Sequence, residues 1–95
     1  MTGYIIAQVN LKKKDGFKDY AYKVPETIKK YGGEYLVRAG EFMLLEGKWD
    51  FTRNVIIKFP SYKRALEWYN SDEYNQIKNL RLENSEGNLI IIKGV

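Results

Sequence analysis

Residues 4–11 have the sequence Tyr-Ile-Ile-Ala-Gln-Val-Asn-Leu, which is rich in β-branched residues. Ile5, Ala7, Val9 and Leu11 are apolar, and more polar residues separate the last three of them. A period of two places alternate side chains on opposite faces of a strand. The pattern therefore predicts a first strand that directs one face into a core.

The next segment has the spacing of an amphipathic helix. Asp15 is the predicted N-cap, Gly32 and Gly33 end the helix, and Pro25 predicts a kink within it. The apolar positions, which recur at i, i+3 and i+4, are Phe17, Tyr20, Ala21, Val24, Ile28 and Tyr31. This spacing places one apolar stripe of the helix against the first strand.

The middle of the chain predicts a long hairpin. Glu34 to Ala39 has the composition of a second strand, residues 40–47 are expected to continue it, and residues 48–50 turn the chain back. The return strand is Arg53-Asn-Val-Ile-Ile-Lys-Phe59.

Two helical segments and a last strand complete the chain. Pro60-Ser61 caps a helix with apolar positions Tyr62, Ala65, Leu66 and Tyr69. Residues 70–73 interrupt and recap it, and a second segment extends from Asp72 to about Glu83. Residues 84–87 are predicted as a turn, and residues 88–92 as an apolar strand buried on both faces.

The order β-α-β-β-α-β is typical of an α+β, ferredoxin-like domain with a four-stranded antiparallel sheet. With 95 residues, 44% of them hydrophobic, the chain supplies one core, so residues 1–95 are predicted to form a single domain. The sheet face without helices is predicted to bear Ile6, Gln8, Leu36, Arg38, Asn54, Ile56 and Lys58. This mixture predicts a homodimer through the uncovered face, with a pocket for a small organic molecule.

Several ordered motifs extend over nearly the whole chain. They are Tyr31-Gly-Gly-Glu-Tyr-Leu-Val-Arg-Ala-Gly40, Leu45-Glu-Gly-Lys-Trp49, Val55-Ile-Ile-Lys-Phe-Pro60, Trp68-Tyr-Asn-Ser-Asp-Glu-Tyr74 and Leu80-Arg81. With these motifs the chain resembles the domain of unknown function 1330 family of small bacterial proteins. The resemblance implies a dimeric α/β barrel, shared with cofactor-independent antibiotic-biosynthesis monooxygenases, but no particular reaction. The chain departs from the family pattern at Ala39, where glycine is more frequent.

Six residues are candidates for contact with a ligand, namely Arg38, Gln8, Lys58, Tyr69, Tyr74 and Glu73. Arg38 either holds a carboxylate or enolate through a bidentate contact or pairs with an acid such as Glu34 or Glu41. Tyr69 and Tyr74 either line a pocket mouth or pack in the core.

The other three candidates also have two interpretations each. Glu73 acts as a base only if desolvation raises its pKa, and otherwise stabilises the first turn of a helix. Gln8 and Lys58 either anchor a ligand or form polar pairs across strands.

The chain has no histidine and no cysteine. This excludes disulfides, Cys/His zinc sites, thiol nucleophiles and His-based triads, and we expect no cofactor and no metal. Two functions remain: a homodimer that binds a small, partly apolar molecule, or a cofactor-independent enzyme, monooxygenase- or isomerase-like, acting on a carbonyl or enol compound. Binding is favoured, because no side chain titrates near neutrality without a shifted pKa.

The net charge of +4 comes from residues 1–30, where seven lysines outnumber three acids. A weaker alternative, nucleic-acid binding, lacks paired aromatic residues on the central strands, so these lysines are predicted to form a solvated surface. No segment approaches the ~20 apolar residues of a membrane span. We expect no nucleic-acid or membrane partner and a cytoplasmic location.

Overall fold

The computed structural model describes residues 1–95 and contains four strands and three helices. They are β1 (Gly3–Leu11), α1 (Lys14–Lys30), β2 (Glu34–Arg38), β3 (Arg53–Phe59), α2 (Tyr62–Tyr69), α3 (Asp72–Asn84) and β4 (Ser85–Lys93). The strands form one antiparallel sheet in the order β2-β3-β1-β4. This topology confirms the predicted ferredoxin-like fold, and the sheet is open rather than a closed barrel.

The core lies between the sheet and the three helices. Ile5 and Phe59 from the sheet, Ile28 from α1 and the aromatic residues Trp68 and Tyr74 from α2 and α3 have almost no exposed surface. The rings of Trp68 and Tyr74 lie 4.2 Å apart between centroids, so the short helices α2 and α3 meet over one aromatic cluster. Helices cover only one face of the sheet, as the alternation in β1 predicts.

Two of the three helices begin at the N-cap residue that the sequence predicts. The Ser61 and Ser71 side chains accept hydrogen bonds from the backbone N–H groups of Arg64 and Tyr74, which confirms the predicted caps of α2 and α3. The predicted cap of α1 is wrong, because the N-cap is Lys13, and Asp15 lies inside the first turn. α1 then continues through Pro25 to Lys30.

The hairpin formed by β2 and β3 is shorter than the composition of residues 34–59 predicts. β2 ends at Arg38, and residues 39–52 form a loop with no strand partner, so the prediction of an extended strand over residues 40–47 is wrong. Asn10 holds the end of this loop: its amide donates to the Asp50 carbonyl at 3.0 Å and accepts from the Thr52 N–H at 3.0 Å.

The predicted turn at residues 84–87 is also wrong, because β4 begins at Ser85, directly after α3. Gly87 pairs with Val9 in β1, and a Cβ there would overlap the Gln8 carbonyl oxygen. The glycine therefore permits close strand approach and does not mark a turn. Burial on both faces of β4 is not found in this chain alone, since Ile90 and Ile92 are about half exposed.

A β-bulge in β2 changes the face of one predicted site residue. Tyr35 pairs with Ile57, but Val37 pairs with Ile56 and Arg38 with Val55, so Leu36 is one extra residue without a partner. The bulge places Val37 on the uncovered face and turns Arg38 toward the helices. The prediction that Arg38 lies on the uncovered face is therefore wrong.

Candidate functional site

A small cavity lies between the covered face of the sheet and helix α1. Its volume is about 50 Å³, enough for about three or four water molecules or one small polar group. Fifteen residues line it, of which twelve are hydrophobic and the other three are all arginines, Arg38, Arg53 and Arg81. Arg38 is the only exposed residue of the lining. The cavity thus joins apolar walls to a group of cations, one of which reaches solvent.

The three arginines come from three different elements. Arg38 follows the bulge in β2, Arg53 begins β3 and Arg81 lies in the last turn of α3. The Arg38 Nη2 donates to the Ala21 carbonyl at 2.6 Å. The Arg38 and Arg53 guanidinium groups also lie over the rings of Tyr35 and Phe17, at 4.6 Å and 5.2 Å from the ring centroids. Aromatic faces therefore orient both groups at the cavity.

Tyrosines connect Arg81 to the core. The Arg81 Nε donates to the Tyr74 hydroxyl at 3.2 Å, and the Tyr74 and Tyr20 hydroxyls lie 2.9 Å apart. Burial raises the pKa of Tyr20, and burial also raises the pKa of Tyr35 although Arg38 opposes this shift. Both phenols of the lining thus stay protonated and can donate hydrogen bonds.

The structure brings two of the six predicted site residues to this cavity. Arg38 lines it, and Tyr74 lies behind the lining, hydrogen-bonded to Tyr20 and Arg81. Tyr69 packs against Trp68 and Tyr74 and borders a separate surface cleft. Its location agrees with the packing interpretation.

Gln8, Lys58 and Glu73 do not line the cavity. Gln8 lies between Asn54 and Asn88 on the uncovered face, and Lys58 pairs there with Tyr4. Polar neighbours across strands therefore surround Gln8.

Glu73 lacks the raised pKa that a carboxylate needs to act as a base. Its carboxylate lies 2.5 Å from the Lys30 Nζ, and the hydrogen bond from this ammonium group lowers the pKa of Glu73. A base acting near neutral pH needs a raised carboxyl pKa. The interaction with Lys30 and the location in the first turn of α3 agree with the structural interpretation.

The sequence reasoning missed Arg53, Arg81, Tyr20 and Tyr35 as a group. Arg53 follows the same alternation as Val55, Ile57 and Phe59, so its face could be predicted from the pattern that identified the strand. Arg81 has no such signal, because its direction depends on the packing of α3 against α1.

A wider groove lies on the other face of the sheet, under the loop of residues 39–52. Its volume is about 610 Å³, and Ile6, Val37, Ile56 and several loop side chains line it. No group of three or more acidic side chains is positioned to hold a metal ion. None of the three helices has the length and apolar character needed to cross a bilayer.

Comparison with solved structures identifies several chains of the same fold. A protein of unknown function from Rhodopseudomonas palustris superposes with a TM-score of 0.78 at 16% identity, over 99% of this chain and 82% of that chain. A cofactor-independent oxygenase from Streptomyces nogalater has a TM-score of 0.66 at 6% identity, over 99% and 93% of the two chains.

A protein from Nitrosomonas europaea, provisionally assigned as an antibiotic biosynthesis monooxygenase, has a TM-score of 0.60 at 19% identity, over 100% and 99%. These identities establish the fold alone.

Sequence comparison identifies the family. No curated protein matches the chain. The profile of Domain of unknown function (DUF1330) matches residues 2–95, which include all four strands and all three helices. The structures of the same fold include an uncharacterised protein and a cofactor-independent oxygenase, as the sequence motifs imply. The chain therefore belongs to the DUF1330 family.

Proposed function

We propose that this protein is a homodimer that binds a small, partly apolar organic molecule in the cavity between the sheet and α1. The observation that supports binding is the composition of the lining, twelve hydrophobic residues with three convergent arginines. Apolar walls with a few placed polar groups are the usual composition of a small-molecule site. Because the cavity is small, a compact group enters it and any larger remainder lies toward Arg38.

Binding is favoured over catalysis by the chemistry of the lining. A proton-transfer enzyme needs a group that titrates near its working pH. Arginine and tyrosine are the only ionisable residue types in the lining, and burial moves the pKa of Tyr20 and Tyr35 further from neutrality. These side chains can hold and orient a carbonyl or enol compound, but none of them is a base at neutral pH.

The dimer is supported by apolar side chains exposed on the uncovered face and on the loop of residues 39–52. Leu36, Ile90 and Ile92 on the sheet are about half exposed, and Met43 and Leu45 in the loop are about four-fifths exposed. An exposed apolar area of this extent on one side of a small protein marks an interaction surface. Because the loop adjoins the face, a second copy packed there would cover both.

A thermal-shift screen of small aliphatic and aromatic compounds tests the binding proposal. Compounds that bind the folded state raise the melting temperature. Ala7→Val directs two added methyl groups into the cavity, so we expect it to abolish the shift. Gln8→Val is the matched control, since the next residue of β1 faces the opposite side.

Two outcomes contradict the proposal. One is that no compound at millimolar concentration raises the melting temperature. The other is that Gln8→Val abolishes the shift while Ala7→Val retains it, which would place the site on the uncovered face.

A further inference from the structure

We propose that the ligand of this cavity has a carboxylate group, which Arg38, Arg53 and Arg81 bind together. The inference rests on the binding proposal above and adds the chemical class of the ligand. It follows from the aromatic rings that orient the guanidinium groups and from the absence of a carboxylate that neutralises them.

No carboxylate of the chain neutralises these arginines. Arg64 is the only arginine in a salt bridge, with Glu67 at 3.1 Å, and the other two salt bridges involve lysines. Neither Glu34 nor Glu41, the acids that the sequence offers as partners for Arg38, forms a salt bridge with it. The cavity lining contains no acidic residue. Three positive charges thus border one space without a counter-charge.

Arg53 shows most directly that a hydrogen-bond acceptor and a counter-charge are missing from the cavity. Its Nε is buried and has no hydrogen-bond partner, and it is the only buried side-chain nitrogen or oxygen of the chain in this condition. Buried polar groups are nearly always hydrogen-bonded, and an N–H donor that is buried without an acceptor is costly. Burial, followed by repulsion from Arg38, lowers the pKa of Arg53, although the group stays protonated at neutral pH. An anion in the cavity would give the Arg53 Nε an acceptor and would offset the repulsion between Arg53 and Arg38.

The donors that are present suit a planar oxyanion. A guanidinium group presents N–H donors in a fixed fork that matches a carboxylate with two hydrogen bonds. Arg38 and Arg53 are already oriented by Tyr35 and Phe17, so little side-chain freedom is lost on binding. The protonated phenols of Tyr20 and Tyr35 add donors at the same wall.

The remaining lining selects a carboxylate with an apolar substituent over a free inorganic anion. The aliphatic part of the lining offers a phosphate or chloride ion no compensation for lost hydration. An aliphatic or aromatic substituent gains from the same walls. The exposed position of Arg38 lets the part of a larger substituent that the cavity cannot hold extend toward solvent.

Isothermal titration calorimetry with matched pairs tests the inference. Acetate, propionate and benzoate are compared with acetamide, propionamide and benzamide, which have nearly the same shape but no charge. Inorganic phosphate is the second comparison. We expect at least one carboxylate to bind tenfold or more tightly than its amide and than phosphate.

Variants of Arg53 assign the effect to the cavity. Arg53→Met removes the guanidinium group and keeps an unbranched side chain as far as the position of Nε, so we expect it to abolish the preference for the carboxylate. Arg64→Met, outside the cavity, is the matched control and should retain the preference. Without ligand, Arg53→Met should melt at the same temperature as the parent or higher, because it removes a buried Nε–H group that has no hydrogen-bond partner.

Each failure has a distinct meaning. If amides bind as tightly as carboxylates and Ala7→Val abolishes both, the cavity binds ligands but the carboxylate inference is wrong. If phosphate binds as tightly as the carboxylates, the arginines form an unselective anion surface and the inference is again wrong. If neither acid nor amide binds at millimolar concentration but another compound of the thermal-shift screen does, the carboxylate inference is wrong and the binding proposal stands. If no compound binds, both are wrong. A large drop in the melting temperature of ligand-free Arg53→Met would show that the arginine is structural.

Discussion

Ala39 has a φ of +58°, in the left-handed region that favours glycine. Its backbone N–H donates to the Asn54 carbonyl at 2.7 Å, so the residue is held by β3 just after β2 ends. A side chain with a Cβ is strained in this conformation. Glycine would adopt this conformation without that strain.

We therefore expect Ala39→Gly to stabilise the protein by up to about 1 kcal/mol, which is the relief of strain less the entropy that glycine adds to the unfolded chain. Urea denaturation measures the change in the free energy of unfolding. Gly47→Ala is the reverse control: Gly47 has a φ of +81° with open space around it, so the added methyl group should destabilise through the backbone alone. A decrease in stability of Ala39→Gly would contradict this account.

Single residues also show how far the sequence predicts the site. The alternation of β3 predicts the face of Val55, Ile57 and Phe59 correctly, and it extends to Arg53. The same rule fails for Arg38, because the bulge at Leu36 depends on pairing between strands and leaves no mark in the composition. Alternation therefore predicts a side chain's face only where the register is uninterrupted.

At the scale of elements, Ser71 joins two short helices. Its hydroxyl donates to the Trp68 carbonyl at 2.7 Å, at the end of α2, and accepts from the Tyr74 N–H at 3.2 Å, at the start of α3. Ser71 is buried, so water cannot replace these bonds. One side chain thus satisfies the ends of both helices where the aromatic cluster forms.

We expect Ser71→Ala to destabilise the protein by about 1–2 kcal/mol, because α3 loses a buried cap and the Trp68 carbonyl at the end of α2 loses a hydrogen-bond donor. Ser61→Ala removes only the cap of α2, at a partly exposed position, and should cost less. Thermal and urea denaturation of both variants give the comparison. Equal losses would show that the hydrogen bond to Trp68 contributes nothing.

The elements that the sequence predicts well are those whose local signal agrees with their packing. The serine caps place α2 and α3 correctly, and the alternation places β1 and β3. Residues 40–47 have the apolar composition of a strand but no neighbouring strand to pair with, so they remain a loop. Composition alone cannot supply that partner.

The whole molecule is a thin slab, with extents of 32 × 30 × 17 Å. Its accessible surface of 6487 Å² exceeds by about 800 Å² the roughly 5,700 Å² expected for a compact protein of 11.2 kDa. About 800 Å² is also the surface that each partner buries in a typical stable interface. The excess supports the proposal that a second copy covers the sheet.

Ile56 tests that proposal, because it lies on β3 in the middle of the uncovered face, opposite Ile6 and Val37. We expect the parent protein to sediment as a dimer at micromolar concentration and Ile56→Glu as a monomer, since an unpaired charge in an interface costs several kcal/mol. Leu82→Glu adds the same charge to an exposed leucine of α3, outside the uncovered face. Leu82→Glu should sediment as the parent does. If the parent protein itself sediments as a monomer, the dimer proposal is wrong.

The bulge in β2 has an evolutionary consequence. Deletion of Leu36 would remove the extra residue, while Val37 would still pair with Ile56 and Arg38 with Val55, so neither side chain would change face. The same sequence paired without the bulge would instead bring Arg38 opposite Asn54, on the uncovered face. The bulge therefore absorbs one gained or lost codon at this point of β2, and the cavity keeps its arginine. At identities of 6% to 19%, an alignment that omits the gap such a change requires assigns this arginine to the wrong face.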